Sequence, residues 1–513
     1  MIFSSNAFIF GFVPLALLGF WVAIRIGRRS ALLWLILVSL AFYSYWKIAF
    51  LPLLLISIAF NFIIGYVLAR TEYRPTLQLW VLLVGITADL LALVYFKYSV
   101  ALATSLGFKT VVGTPFDDII LPLGISFFTF TQIGYLVDVK QGVAKSQDVL
   151  SYVLFVTFFP HLIAGPILHN REMMPQFTDP KLCRFDIANL AVGFTIFCIG
   201  LGKKVLLADP LSADVSLNFS HAGTTGLAIA WYTVVGYSLQ LYFDFSGYSD
   251  MAIGLARIFN IRFPMNFNSP FKATTVIDYW QRWHMTLTRF ITMYIFTPLA
   301  MGITQMRASR GLDNSRQASR TPSGFLALVV VPTLTTMSLA GIWHGAGLQY
   351  LVFGVLHGFY IATNHAFRIF LPKPKHPPAV HWLVAMANHV WKVLAVYIAV
   401  LIAFVFFRAA STTQALQLLS GMLGLHGLSA DPGSGLTYLK LGRVVVLFAI
   451  VWGLPNTQQI MSRYEPTLGR PIPNPFARLN WNPTYGWAVL TGVLAALSLF
   501  ELGSATEFLY FQF

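Results

Sequence analysis

The sequence predicts an all-α, polytopic integral membrane protein, on three observations. Of the 513 residues 57% are hydrophobic and only 10% charged, and the mean hydropathy is +0.69; soluble domains of this length do not show that balance. Apolar runs recur almost end to end. They are too long and too uniformly apolar for barrel strands, and lipid offers backbone polar groups no partner, so the spanning elements must be helices.

In order along the chain the runs fall at 7–24, 31–46, 49–69, 79–96, 119–136, 149–168, 187–208, 226–245, 324–343, 348–371, 389–407, 442–460 and 485–501. Each fits a span or a buried half-span, which predicts about 11 to 13 transmembrane or re-entrant helices with amphipathic interfacial helices beside them. "LPLGIS" at 121–126 and "IAGPI" at 163–167 interrupt their runs. They predict re-entrant or discontinuous helices, which lipid tolerates only where protein or a cavity covers them. The longest polar stretches, near 302–323, 426–441 and 461–483, are loop-sized. No internal repeat or low-complexity tract appears, so residues 1–513 read as one membrane-embedded domain. The first run lacks a charged leader and a small-residue cleavage site, and reads as a retained helix.

The formal net charge of +15 raises the question of nucleic acid, but the basic residues sit in short loops beside spans rather than on one soluble face. Orientation signalling accounts for them. Arg25, Arg28 and Arg29, then Arg70 with Arg74, then Arg307, Arg310, Arg316 and Arg320 read as cytosolic, which places the N-terminus outside. Cys183 and Cys198 have no partner motif, so neither a disulfide framework nor a cysteine metal site is expected. There is no HExxH, no Cys-x-x-Cys and no Gly-x-Ser-x-Gly, and "GLGKKV" at 200–205 lacks the spacing and hydroxyl of a phosphate-binding loop. Lys203 and Lys204 read as interface markers.

Four blocks could carry chemistry. "SLAGIWHGAG", Ser338 to Gly347, ends an uncharged run of about 20 residues from Gly324, so His344 lies at membrane depth, where an ionisable group is a functional candidate by default. A neutral imidazole beside Gly341, Gly345 and Gly347 fits a general base approached closely by substrate, or a structural hydrogen bond. "DYWQRWHMTLTRF", Asp278 to Phe290, wound as a helix, puts Asp278, Arg282, Met285 and Arg289 on one face and Tyr279, Trp283, Leu287, Phe290 and Tyr294 on another. That pattern predicts an amphipathic helix lying in an interface, with an Asp278–Arg282 ion pair. His284 belongs to neither stripe and faces protein or a cavity. Between Leu239 and Phe271, Gln240, Asp244, Ser246, Ser249 and Asp250 gather at the end of a span. The acids need partners, for which Arg257, Arg262 and Arg282 are nearest, and Asp250 reads as a structural ion pair. "FFPHLIAGPILHNREMMPQF", Phe158 to Phe177, adds His161 and His169; His161 either lines the same cavity or makes a helix-end hydrogen bond.

In this order, "LPLGISFFTFTQIGYLVDV", "FFPHLIAGPI", "QLYFDFSGYSDMAIGLA" with "NFNSPF", and "YWQRWHMTL" followed by "GIWHGAG" resemble the membrane-bound O-acyltransferase family, in its bacterial polysaccharide-acetylating branch. The opening "MIFSSNAFIFGFVPL" fits that branch, and the likeness runs from residue 1 to about 410. The resemblance implies a family core at about 100–410 with additional helices at 411–513. It also implies a histidine in a membrane-embedded tunnel that takes an acyl group from a cytosolic thioester, acetyl-CoA foremost, with no permanently bound cofactor and no metal. The essential histidine falls on His344 and the second characteristic polar position on His284. Arg282 and Arg289 become candidates for the donor's phosphates, with membrane anchoring as the alternative, and Trp283, Trp343, Asp244 and His161 become further binding candidates.

A bacterial inner-membrane location follows from the resemblance. The implied acceptor side is a polysaccharide or a periplasmic acetylation protein, with the bilayer as surroundings and nucleic acid excluded. Where relatives continue into Arg-Asp-Tyr and Gly-Gly-Asn-Arg segments, this chain reads "TRFITMYIFTPLAMGITQMRASRG", which leaves alginate, cellulose, another exopolysaccharide or a relay protein open as acceptor. A transporter or flippase of a glycan precursor is the alternative from another class. It would carry paired broken helices in both halves, and no matching pair appears in the second half.

Overall fold

The computed structural model of the chain describes residues 2–105, 120–144, 148–163, 165–371, 381–428, 437–504 and 509. The aromatic tail from Phe508, apart from Leu509, lies outside these residues, as do Ala164 of "IAGPI", the first residue of the 119–136 run and part of the 426–441 stretch. The described chain is helical, with an isolated bridge between Pro264 and Leu468 in place of any sheet.

Eight helices among the described residues are long and apolar enough to cross a membrane: Ala7–Ile26, Ile48–Arg70, Pro75–Val100, Ile187–Ser220, Met285–Ser309, Pro322–His344, Trp382–Arg408 and Tyr485–Gly503. All but one fall on runs expected from the sequence. The exception, Met285–Ser309, corrects the reading of Asp278–Phe290 as a single interfacial helix. Thr275 caps a short helix, Val276–Trp280, by accepting from the Asp278 amide at 3.0 Å. The chain then turns through Gln281–His284 and starts again at Met285. Backbone from the "NFNSPF" segment takes up bonds at the break: the Asn268 amide donates to the Arg282 carbonyl, and the Met285 amide to the Asn266 carbonyl, both at 2.9 Å. Tyr279 and Trp283, expected at headgroup level, are buried in protein.

Five π-helical turns interrupt the helices among the described residues: Ala7–Phe12, Lys203–Ala208, Thr292–Phe296, Leu326–Val330 and Ala449–Gly453. Each is followed, two residues on, by a proline: Pro14, Pro210, Pro298, Pro332 and Pro455. Proline brings no N–H and its ring presses on the carbonyl four residues back. For the first four that carbonyl lies inside the π turn, whose wider winding makes room for the ring; at Pro455 the helix has already ended, Leu454 being extended at ψ 157°.

The chain divides into two compact units. One comprises residues 1–206, 245–265 and 457–512. Here the Ile187–Gly202 helix packs on residues 245–258 through glycines seven apart on each side. A methyl at Gly193 would stand 2.5 Å from the Gly254 carbonyl, and one at Gly200 2.6 Å from that of Gly247. Small residues at such crossings let helix backbones approach in lipid, where dispersion and polar contacts hold helices together. Asp250, between the two glycines, meets Lys203 Nζ at 2.6 Å, Thr457 Oγ1 at 2.6 Å and Gln458 Nε2 at 2.9 Å. The ion pair expected for Asp250 is present, but its partner is Lys203 rather than an arginine; Arg257 bonds the Tyr464 carbonyl and Arg262 pairs with Glu465. Polar links also tie other helices of this unit, Asn61 Nδ2 to Asp89 Oδ1 at 2.8 Å and Gln132 Nε2 to Ser57 Oγ at 2.9 Å.

The second unit comprises residues 207–244 and 266–456. Its centre is an antiparallel pair, Val331–His344 and Leu348–Phe370, joined by a three-residue turn. Gly341 and Gly354 face each other there, a methyl at Gly341 falling 2.9 Å from the Gly354 Cα. The Trp382–Arg408 helix contributes Phe404 and Phe407 to the same core.

Candidate active site

The second unit holds Asp244, Arg282, Trp283, His284, Arg289, Trp343 and His344; His161 is in the first. His344 is the last residue of its helix, because Gly345 that follows is extended, at φ −169° and ψ 166°. The ring is 6% exposed and is held edge-to-face by three aromatic rings: Trp343 at 4.9 Å, Phe407 at 5.0 Å and Phe353 at 5.9 Å between centroids. Such contacts fix ring orientation through the aromatic quadrupole. The neighbouring glycines, read from sequence as room for substrate, have protein neighbours here: Gly341 packs on Gly354, and a side chain at Gly345 would run into the Tyr350 ring.

His284 occupies a left-handed backbone conformation, φ 43° and ψ 52°, which costs a non-glycine residue about 1–2 kcal/mol. Asn266 holds it there. Asn266 Oδ1 accepts from His284 Nδ1 at 3.0 Å, from Thr286 Oγ1 at 2.9 Å and from the Thr286 amide at 3.4 Å. Nδ1 therefore carries the ring hydrogen and Nε2 the lone pair. His284 precedes the span that begins at Met285, and burial pushes its ring down to about 3, so the imidazole is neutral. Histidine and asparagine tolerate the left-handed region far better than β-branched residues. His284→Asn is therefore expected to give a monodisperse protein in size-exclusion chromatography, and His284→Val an aggregated one. Equal profiles for the two would remove the conformational role of this position.

A run of ring contacts joins the two blocks. Trp283 lies 5.8 Å from Tyr279, Tyr279 6.1 Å from His357, His357 4.7 Å from Phe353, and Phe353 5.9 Å from His344. Arg282 forms the expected pair with Asp278, Nε to Oδ1 at 2.7 Å, and its Nη1 reaches the Asn268 carbonyl at 3.4 Å. Arg289 is half-buried on the helix that His284 opens, and Asp244 is buried within Leu227–Ile258. His161 Nε2 meets the Phe155 carbonyl at 2.9 Å, the hydrogen-bond reading of the two held for it. His357 was missed from sequence. Its signal was a third histidine in an apolar run, "VLHGF", thirteen residues beyond His344.

Among the described residues no three His, Cys, Asp or Glu side chains come together as a metal site. The fold and these buried imidazoles define a multi-pass helical membrane protein with histidines enclosed by aromatic rings and hydrogen bonds in its interior. Comparison with known proteins gives that class its family. The model of the membrane-bound O-acyltransferase family matches residues 40–312. The peptidoglycan O-acetyltransferase of Helicobacter pylori is 36% identical over 84% of this chain and 81% of its own. A probable alginate O-acetylase of Pseudomonas putida is 31% identical over 100% of both chains, which extends the likeness through His344. A teichoic acid D-alanyltransferase of Bacillus subtilis is 28% identical over 53% of this chain and 66% of its own. This chain belongs to the membrane-bound O-acyltransferase family, and it is an acyltransferase.

Proposed function

We propose that the protein transfers an acetyl group from a cytosolic thioester, acetyl-CoA, toward hydroxyl groups of a polysaccharide outside the cytoplasmic membrane. It does so directly or through a periplasmic acetylation protein. The enclosure of His344 at the end of its helix, in a chain of this family, carries the reading. The relatives support the acceptor class, since the printed names of all three specify acceptors in the bacterial envelope or its exopolysaccharide. In the sequence reading, the basic loops after the first and third spans put the N-terminus on the periplasmic side of the inner membrane.

In this reaction His344 removes the proton from the acceptor hydroxyl as that oxygen attacks the thioester carbonyl. The C–O bond forms, the C–S bond breaks, and the proton passes from the imidazolium to the departing thiolate, so the histidine is regenerated. An acyl-histidine formed first and then attacked by the hydroxyl gives the same balance. His284, rigid on Asn266, orients acceptor or donor, and Arg282 or Arg289 meets the donor's phosphates.

The test is the ester-linked acetyl content of surface and cell-wall polysaccharide in a strain lacking the protein. Loss of acetyl from one glycan and its return with the wild-type gene is the expected result, and the glycan affected names the acceptor. An unchanged acetyl content across every envelope glycan would contradict the proposal.

A further inference from the structure

His357 and Tyr279 carry a chemistry that the reaction scheme above does not use. His357 is fully buried at mid-helix in Leu348–Phe370. The indole N–H of Trp280 points at its Nδ1 at 3.2 Å. Indole is a donor only, so Nδ1 must be an acceptor and the ring hydrogen must sit on Nε2. That Nε2 has no hydrogen-bond partner, and neither does the equally buried hydroxyl of Tyr279, the residue before Trp280. The two rings lie parallel, within 5° and 6.1 Å apart.

An unsatisfied buried donor is costly, and a pair of them in one aromatic nest calls for an explanation. An N–H that only donates and a hydroxyl that can donate, both buried and unbonded, suit an atom that accepts only. Two further observations indicate which atom. His357 and His344 both pack edge-on against Phe353, at 4.7 and 5.9 Å, so one of the two donors and the candidate base flank a single ring. Trp280, which fixes the tautomer, also lines a cavity of about 290 Å³ together with Thr333, Thr336 and Met337 of the helix that ends at His344. From Met337 to His344 is seven residues, about 10 Å of helix.

We propose that His357 Nε2–H and the Tyr279 hydroxyl form a two-donor site for the carbonyl oxygen of the acyl thioester, with Trp280 as the positioning residue that selects the donating tautomer. The inference rests on the thioester reading above. As the acceptor oxygen adds, negative charge grows on the carbonyl oxygen, and donors fixed in advance in a dry site stabilise it more than they stabilise the ground state. No proton need leave either donor.

The test uses the full-length purified protein and two unreactive analogues of acetyl-CoA with sulfur replaced by methylene. One keeps the carbonyl as a ¹³C-labelled ketone and the other has CH₂ in its place. Wild type is expected to bind the ketone about tenfold more tightly than the CH₂ analogue and to move the ¹³C=O stretch to lower frequency. Tyr279→Phe, which removes one oxygen and leaves the packing, loses part of both effects. His357→Leu loses more, and Trp280→Phe weakens the frequency shift without touching the ligand. The same preference and the same frequency in wild type, Tyr279→Phe and His357→Leu would overturn the two-donor site while leaving the thioester reading intact. Failure of wild type to bind either analogue would overturn both.

Discussion

Replacing His344 by alanine is expected to lower acetylation of the acceptor glycan by at least about 100-fold, the lower end of what a positioned general base contributes. The protein itself should persist at wild-type level. The ring contacts Trp343, Phe353 and Phe407, but Phe353 and Phe407 also pack on one another, and Phe407 on Tyr350, so the fold does not hang on the imidazole. The measurement is ester-linked acetyl in the deletion strain complemented with either gene, with membrane protein amounts matched by immunoblot. A variant that restores acetylation fully would show that His344 is structural.

The largest effect on stability is expected at Asp250. Its carboxylate and the Lys203 ammonium are paired at 2.6 Å with side-chain exposures of only 7% and 14%. Asp250→Ala removes the carboxylate that Lys203 meets at 2.6 Å; breaking a buried pair by removing one partner costs about 3–5 kcal/mol, whereas replacing both partners by apolar residues of similar volume is often neutral. Asp250→Ala should therefore lose most of its monodisperse fraction on mild heating in detergent, and Asp250→Leu with Lys203→Met should recover it. Equal heat resistance of wild type and Asp250→Ala would place the packing of this unit on the glycine contacts at 193, 200, 247 and 254 instead.

The two cases mark what the sequence could and could not carry. Helical class, membrane setting and seven of the spanning helices follow from local properties, apolar content and run length, which lipid enforces whatever the tertiary arrangement. The Asp278–Arg282 pair was legible because it is four residues apart. The Lys203–Asp250 pair was not, because 47 residues separate its members and nothing local distinguishes Lys203 from an interface lysine. Helix periodicity also ran through Gln281–His284 without warning. The break there is made by Asn266 and the backbone around it, eighteen residues away from His284, so a tertiary contact overrides the local winding.

The candidate site divides in the same way. His344 and His284 stood out as an ionisable ring in an oily run and as a member of a familiar block. His357 did not, because what makes it notable is the Trp280 bond across 77 residues and the absence of any partner on its other nitrogen. The glycine spacing around His344 was visible, but not that Gly341 serves helix contact, which only the position of Gly354 on the returning helix reveals.

The central claim is that acyl transfer runs through His344 inside the membrane. It is tested most directly with purified protein in sealed liposomes, supplied on one face with acetyl-labelled coenzyme A and holding on the other the glycan identified from the deletion strain, with its periplasmic acetylation protein where the pathway uses one. The account predicts that wild type releases coenzyme A on the first face and places alkali-labile label on the acceptor side, and that His344→Ala does neither. Label appearing on the acceptor side at the same rate in both proteins would contradict it.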